Sequence, residues 1–237
     1  MKIALQLSGR LRFTENSIGS LIAAIIEPLQ PDIFCSFWLT SNPATVDTYK
    51  QILKPKLMEI EDHRIVKNYL DQLFPFDVYK NLPAMSYKFY RVNQLRKSWE
   101  TTQNACYDLI IQARSDNVFF EKLDESRCCQ AIEQNAILCT NQVYNALIDN
   151  YTSQPRMVDN FYLGPKNLID RANDSFWQLR SQAQEWTNAG MLHHVRIPEI
   201  IQTKLWQNAD ISIASLSGCG HNNSFYYDID RSETQWQ

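Results

Sequence analysis

Apolar positions along the first forty residues fall into two runs with a periodic stretch between them. Ile3 to Leu7 is short and continuous and stops at Ser8-Gly9, which predicts a buried strand feeding a tight turn. Over 17–27 the spacing becomes helical, with Ile18, Leu21, Ile22, Ile25 and Ile26 on one face, and Pro28 and Pro31 are expected to end that helix. A second strand follows over 32–38. Strand, helix, strand in that order predicts a crossover onto a parallel sheet.

Further along, a polar segment leads into a helix over 41–54, and 56–66 holds a short strand. Pro75 and Pro83 mark an irregular connection. The longest predicted helix is 86–104, with Phe89, Val92, Leu95 and Trp99 inward. It leads to the strongest strand pattern in the chain, 107–113, which ends in Arg114-Ser115-Asp116-Asn117. Weaker signals predict strands at 136–140, 161–163 and 211–214 and helices at 166–183 and 197–208. The tail after Ser215, rich in Gly, Asn and Ser, is expected to be loop-like. No internal repeat or low-complexity linker interrupts the pattern, so a single α/β domain is expected.

Composition narrows the function classes. Of 237 residues 44% are hydrophobic, enough for one sizeable core. The formal net charge is −3 and the basic residues are scattered, which argues against a nucleic-acid partner. The six cysteines form no C-x-x-C pair, disfavouring a zinc ribbon or dithiol redox site and pointing to a reducing compartment. With no signal-peptide pattern and no apolar run near 20 residues, the expectation is a cytoplasmic protein without a transmembrane segment. G-x-G-x-x-G after the first strand, G-x-x-x-x-G-K-[ST], H-E-x-x-H and G-x-S-x-G are all absent, disfavouring a dinucleotide site, a P-loop kinase or sulfotransferase-like enzyme, a zincin and a serine hydrolase.

Two polar clusters stand at predicted strand ends, where open α/β sheets bind ligands. Ser8-Gly9-Arg10-Leu11-Arg12 offers a glycine turn, backbone N–H groups and two guanidiniums, which suits a diphosphate. Arg114, Asp116 and Asn117 offer a carboxylate beside an arginine, which suits a divalent metal and the phosphates it bridges. The plainer alternatives are that Arg10 and Arg12 are solvated loop residues, and that Asp116 caps a turn or pairs with Arg114.

The opening MKIALQLSGRLR with Pro31-Asp-Ile-Phe34 and Trp38 resembles the start of small bacterial and viral GT-A-type glycosyltransferases. Tyr107-Asp-Leu-Ile-Ile-Gln-Ala-Arg-Ser-Asp116 resembles their central segment, with an R-x-D in place of D-x-D. Val158-Asp-Asn-Phe-Tyr-Leu-Gly164 and Pro198-Glu199 with Leu205 resemble two later segments of the group. The resemblance implies a GT-A-like fold, a mixed, mostly parallel central sheet flanked by helices. Residues 1–120 would bind a nucleotide-sugar donor and 121–237 a glycan or other hydroxyl acceptor. It implies a divalent cation, Mn²⁺ or Mg²⁺, at Asp116 with His221 as a further ligand, and Asp159 as catalytic base with Glu199 as second candidate. Glu199 also suits a helix N-terminus on dipole grounds alone. Arg114 in place of an acid keeps open a catalytically silent relative that only binds a nucleotide sugar or a glycan.

Overall fold

The computed structural model describes residues 1–39, 43–74, 82–139, 161–190, 198–216 and 227–229, with the backbone alone at 43–44, 198–200, 215 and 227–229. Seven strands form one sheet: β1 (Ile3–Arg10), β2 (Asp32–Trp38), β3 (Leu57–Glu61), β4 (Leu109–Arg114), β6 (Ile137–Cys139), β7 (Phe161–Pro165) and β8 (Ile213–Ser215). Their spatial order is β3-β2-β1-β4-β7-β6-β8. All run parallel except β7, which is antiparallel to both β4 and β6. This is the mixed, mostly parallel central sheet flanked by helices that the sequence led one to expect.

The strands read as continuous apolar runs because both faces are covered. One face packs Leu5, Leu7, Ile33, Cys35, Leu109 and Ile111 against α1 (Glu15–Leu21), α3 (Pro43–Leu53) and α6 (Glu125–Glu133). The other packs Ala4, Phe34, Ile110 and Tyr162 against α4 (His63–Leu73), α5 (Leu82–Gln103), α7 (Lys166–Asp174), α8 (Leu179–Asn188) and α9 (Pro198–Asn208). Trp206 of α9 is fully buried there, edge-on to Tyr162 at 5.2 Å.

Several boundaries differ from the sequence reading. β1 does not stop at Ser8-Gly9; it runs on to Arg10, pairing Gly9 with Phe37 and Arg10 with Trp38. Gly9 nevertheless needs to be glycine, because its φ of +104° is one that L side chains rarely adopt. The first helix begins earlier than expected, because Thr14 and Ser17 form a reciprocal capping box. It continues through a π turn (Ile22–Ile26) into α2 (Glu27–Leu29), where Pro28 sits in the first turn, and the chain leaves at Gln30 in the left-handed region. The 56–66 segment is a strand followed by α4, whose N-cap Asp62 accepts from the Arg64 N–H.

α5 starts a turn early and takes in Pro83 near its N-terminus. Its buried side is not the all-apolar one expected: Lys88, Asn93, Arg96 and Glu100 are buried beside Phe89 and Val92, while Leu95 is only half-buried. The 166–183 helix is broken by a 3₁₀ turn (Ser175–Gln178) between α7 and α8. In the tail expected to be loop-like, β9 (Tyr227–Ile229) pairs antiparallel with β5 (Asn117–Phe119) in a second, two-stranded sheet. No helix among the described residues is long and apolar enough to cross a membrane.

Candidate functional site

The parallel strands β1, β2 and β4 end side by side, with Ser8 in register with both Ser36 and Arg114. Beneath these ends, on the α5 side of the sheet, lies a buried polar layer that the apolar pattern did not reveal. Gln112 Nε2 donates to Ser8 Oγ at 2.9 Å, and Gln6 Nε2 donates to Asn93 Oδ1 at 3.1 Å. Lys88 Nζ donates to Ser36 Oγ at 3.1 Å and to Glu61 Oε2 at 2.6 Å, and stands 4.2 Å from the centre of the Trp38 ring. Glu59 pairs with Arg91, and the Tyr87 hydroxyl donates to Glu61 Oε1 at 2.9 Å. Burial lowers the Lys88 pKa, and the glutamates partly oppose that shift. This layer fixes α5 under the strand ends.

Above it the predicted residues meet. Ser115, which the sequence reading passed over, fastens the two loops together. Its Oγ donates to the Arg10 carbonyl at 2.6 Å and accepts the Arg12 N–H at 3.0 Å. Its place between Arg114 and Asp116 was the only signal for it in the sequence. Arg114 grips Asp116 with two parallel hydrogen bonds, Nε to Oδ1 at 2.8 Å and Nη2 to Oδ2 at 2.7 Å. Arg12 Nη1 lies 3.9 Å from Asp116 Oδ2. The carboxylate is almost wholly buried, whereas the guanidinium side chains keep 24% and 28% of their surface exposed, so the cations form the accessible rim.

Arg10 is exposed, and its charge bears on His63, which lies edge-on to Trp38 at 5.0 Å. The His63 pKa falls below its usual value, first through partial burial and then through Arg10 and Lys67. Ser8 is turned inward to Gln112. Asn117 is buried at the start of β5. Arg12, Arg114 and Asp116 are thus brought together, while Ser8 belongs to the polar layer beneath them. Glu199 lies in the first turn of α9, its side chain outside the described residues, as are Asp159 and His221 altogether.

A divalent cation was expected at Asp116. The donor set among the described residues does not fit one: both carboxylate oxygens are held by Arg114, and a second guanidinium lies within 4 Å. Hard dications take oxygen ligands, and among the described residues this carboxylate has both of its oxygens engaged by a cation. Among the described residues no group of three or more His, Cys, Asp or Glu side chains could hold a metal. Chemically, the arrangement presents two fork-shaped cations on a rigid base, the geometry that recognises phosphate oxygens.

No protein-family model and no curated protein matches the chain. Among solved structures it is similar to mouse xyloside xylosyltransferase 1 in its apo form. The two are 10% identical, the match covers 91% of this chain and 84% of that one, and the TM-score is 0.48.

Proposed function

We propose that this chain is a glycosyltransferase that takes a sugar from a nucleoside-diphosphate donor and passes it to a hydroxyl group of a glycan or another acceptor. The observation that carries the reading is the convergence of Arg12 and Arg114 on buried Asp116, at the ends of two adjacent parallel strands. Ligands of open α/β sheets bind outside these ends. The sequence resemblance, spread in order along most of the chain, supports the same class.

In the transfer, the acceptor oxygen forms a bond to the anomeric carbon. The bond from that carbon to the diphosphate oxygen breaks, and its electron pair leaves with the diphosphate. The acceptor proton passes to a base, for which Asp159 is the candidate. The Arg12 and Arg114 guanidiniums, held beside Asp116, stabilise the charge that develops on the diphosphate.

A second reading has its own observation. The acid of the R-x-D segment is occupied by Arg114, as suits a relative that binds a nucleotide sugar or glycan without cleaving it. Thermal unfolding of the full chain against a panel of nucleotide sugars, with and without Mn²⁺, tests ligand class first. A ligand at a hundred times its Kd stabilises by about 2.7 kcal/mol, roughly 5–10 °C in Tm for a chain of this size. No shift with any nucleotide sugar or nucleoside diphosphate would end the transferase reading and the nucleotide-sugar-binding one, and leave only a glycan binder.

A further inference from the structure

The Arg114–Asp116 pair lies at the end of the sheet's central strand, and its geometry decides what Asp116 is for. The carboxylate spends both oxygens on one guanidinium and stands 3.9 Å from a second. It is 3% exposed, so a ligand arriving from solvent meets the arginines first. Ser115 holds the Arg12 backbone against the same turn, so the two cations are fixed at both backbone and side chain.

We infer that Asp116 is a positioning residue that sets Arg12 and Arg114 side by side as a diphosphate clamp, and that this clamp, rather than a divalent cation, takes up the charge on the leaving diphosphate. The inference rests on the glycosyltransferase reading. The bond that breaks joins the anomeric carbon to a phosphate oxygen; both electrons stay on that oxygen, and the guanidinium N–H groups donate to it with no proton transferred. A fork of N–H donors suits phosphate oxygens, and a buried counter-charge keeps the fork from swinging into water.

The test is calorimetric titration of the full chain with inorganic pyrophosphate and with uridine diphosphate, in EDTA and in excess Mg²⁺. The expected result is binding in EDTA that Mg²⁺ strengthens by less than about threefold. Asp116→Asn should weaken it roughly tenfold and Arg114→Lys comparably. Asp116→Asn in an Arg114→Ala background should cost clearly less than in the unaltered chain, because only the weaker contact with Arg12 then remains to be lost. A general structural role for Asp116 would instead give additive losses, which overturns the inference. Should Asp116→Asn fail to fold, Arg114→Lys and the metal comparison on the unaltered chain decide. Mg²⁺-dependent binding that disappears in Asp116→Asn overturns the inference and leaves the transferase reading standing. Absence of binding by either probe in both buffers overturns the two together.

Discussion

Lys88→Met removes a fully buried cation that, beside Arg91, ties α5 to the ends of β2 and β3. The Lys88 side chain is fully buried, and its ammonium lies 2.6 Å from Glu61 and 3.8 Å from Glu59. Breaking a buried ion pair from one side costs about 3–5 kcal/mol, because the abandoned charge stays buried. Here the abandoned carboxylates keep some access to water, at 21% and 16% exposure, and Glu59 retains Arg91. The loss should therefore fall toward the lower end, about 2–3 kcal/mol. For a chain of this length that is roughly 4–12 °C in Tm. Equilibrium urea unfolding followed by tryptophan fluorescence measures it, with Trp38 reporting from within the network. Adding Glu61→Gln to Lys88→Met should recover about half of the loss, since no uncompensated charge then remains at that position. A loss below about 1 kcal/mol, or strictly additive effects of the two substitutions, would refute the argument that this pair anchors the helix.

Arg12→Ala should weaken nucleoside-diphosphate binding by about 1.5–3 kcal/mol, roughly 10- to 150-fold by calorimetry, as for a hydrogen bond to a charged group. Gly164→Ala should destabilise the β6–β7 pairing by about 1–3 kcal/mol in chemical unfolding, because a Cβ there would lie 3.2 Å from Ile137 Cγ1 and 3.3 Å from its Cα. His63 should titrate below 6.5 by NMR, and pyrophosphate seated near Arg10 should move that titration back up. The sign for stability follows: the unfolded chain takes the proton first, so the His63 contribution is whole above pH 6.5 and is lost as pH falls through the lowered folded value.

The parallel core was legible because its strands are buried on both faces and read as apolar runs: the expected 32–38 is β2 to the residue, while the expected 3–7 and 107–113 overlap β1 (Ile3–Arg10) and β4 (Leu109–Arg114) with ends off by one to three residues. Elements whose signals were short or local were not. α4 announces itself only through Asp62 as N-cap with Val66, Leu70 and Leu73 behind it, and β5 and β9 have three residues each. The polar inner face of α5 hid for a different reason. Lys88, Asn93 and Arg96 are buried by partners far away in sequence, Glu61, Gln6 and Asp170 among them, and periodicity carries no information about such pairings. Strand-end position singled out Arg12, Arg114 and Asp116, which the structure brings together. That Asp116 pairs with Arg114 is a matter of side-chain geometry that spacing does not encode. Asp159, Glu199 and His221 rest on the resemblance.

The most direct test of the central claim is release of nucleoside diphosphate from nucleotide sugars by the full chain, measured with and without mixed glycan acceptors, beside Arg114→Ala as control. The account predicts release from at least one donor, accelerated by an acceptor and abolished in Arg114→Ala. A donor that binds the unaltered chain with measurable affinity yet is never cleaved, with acceptors present and in both EDTA and Mn²⁺, would contradict it and leave a binding protein on this fold.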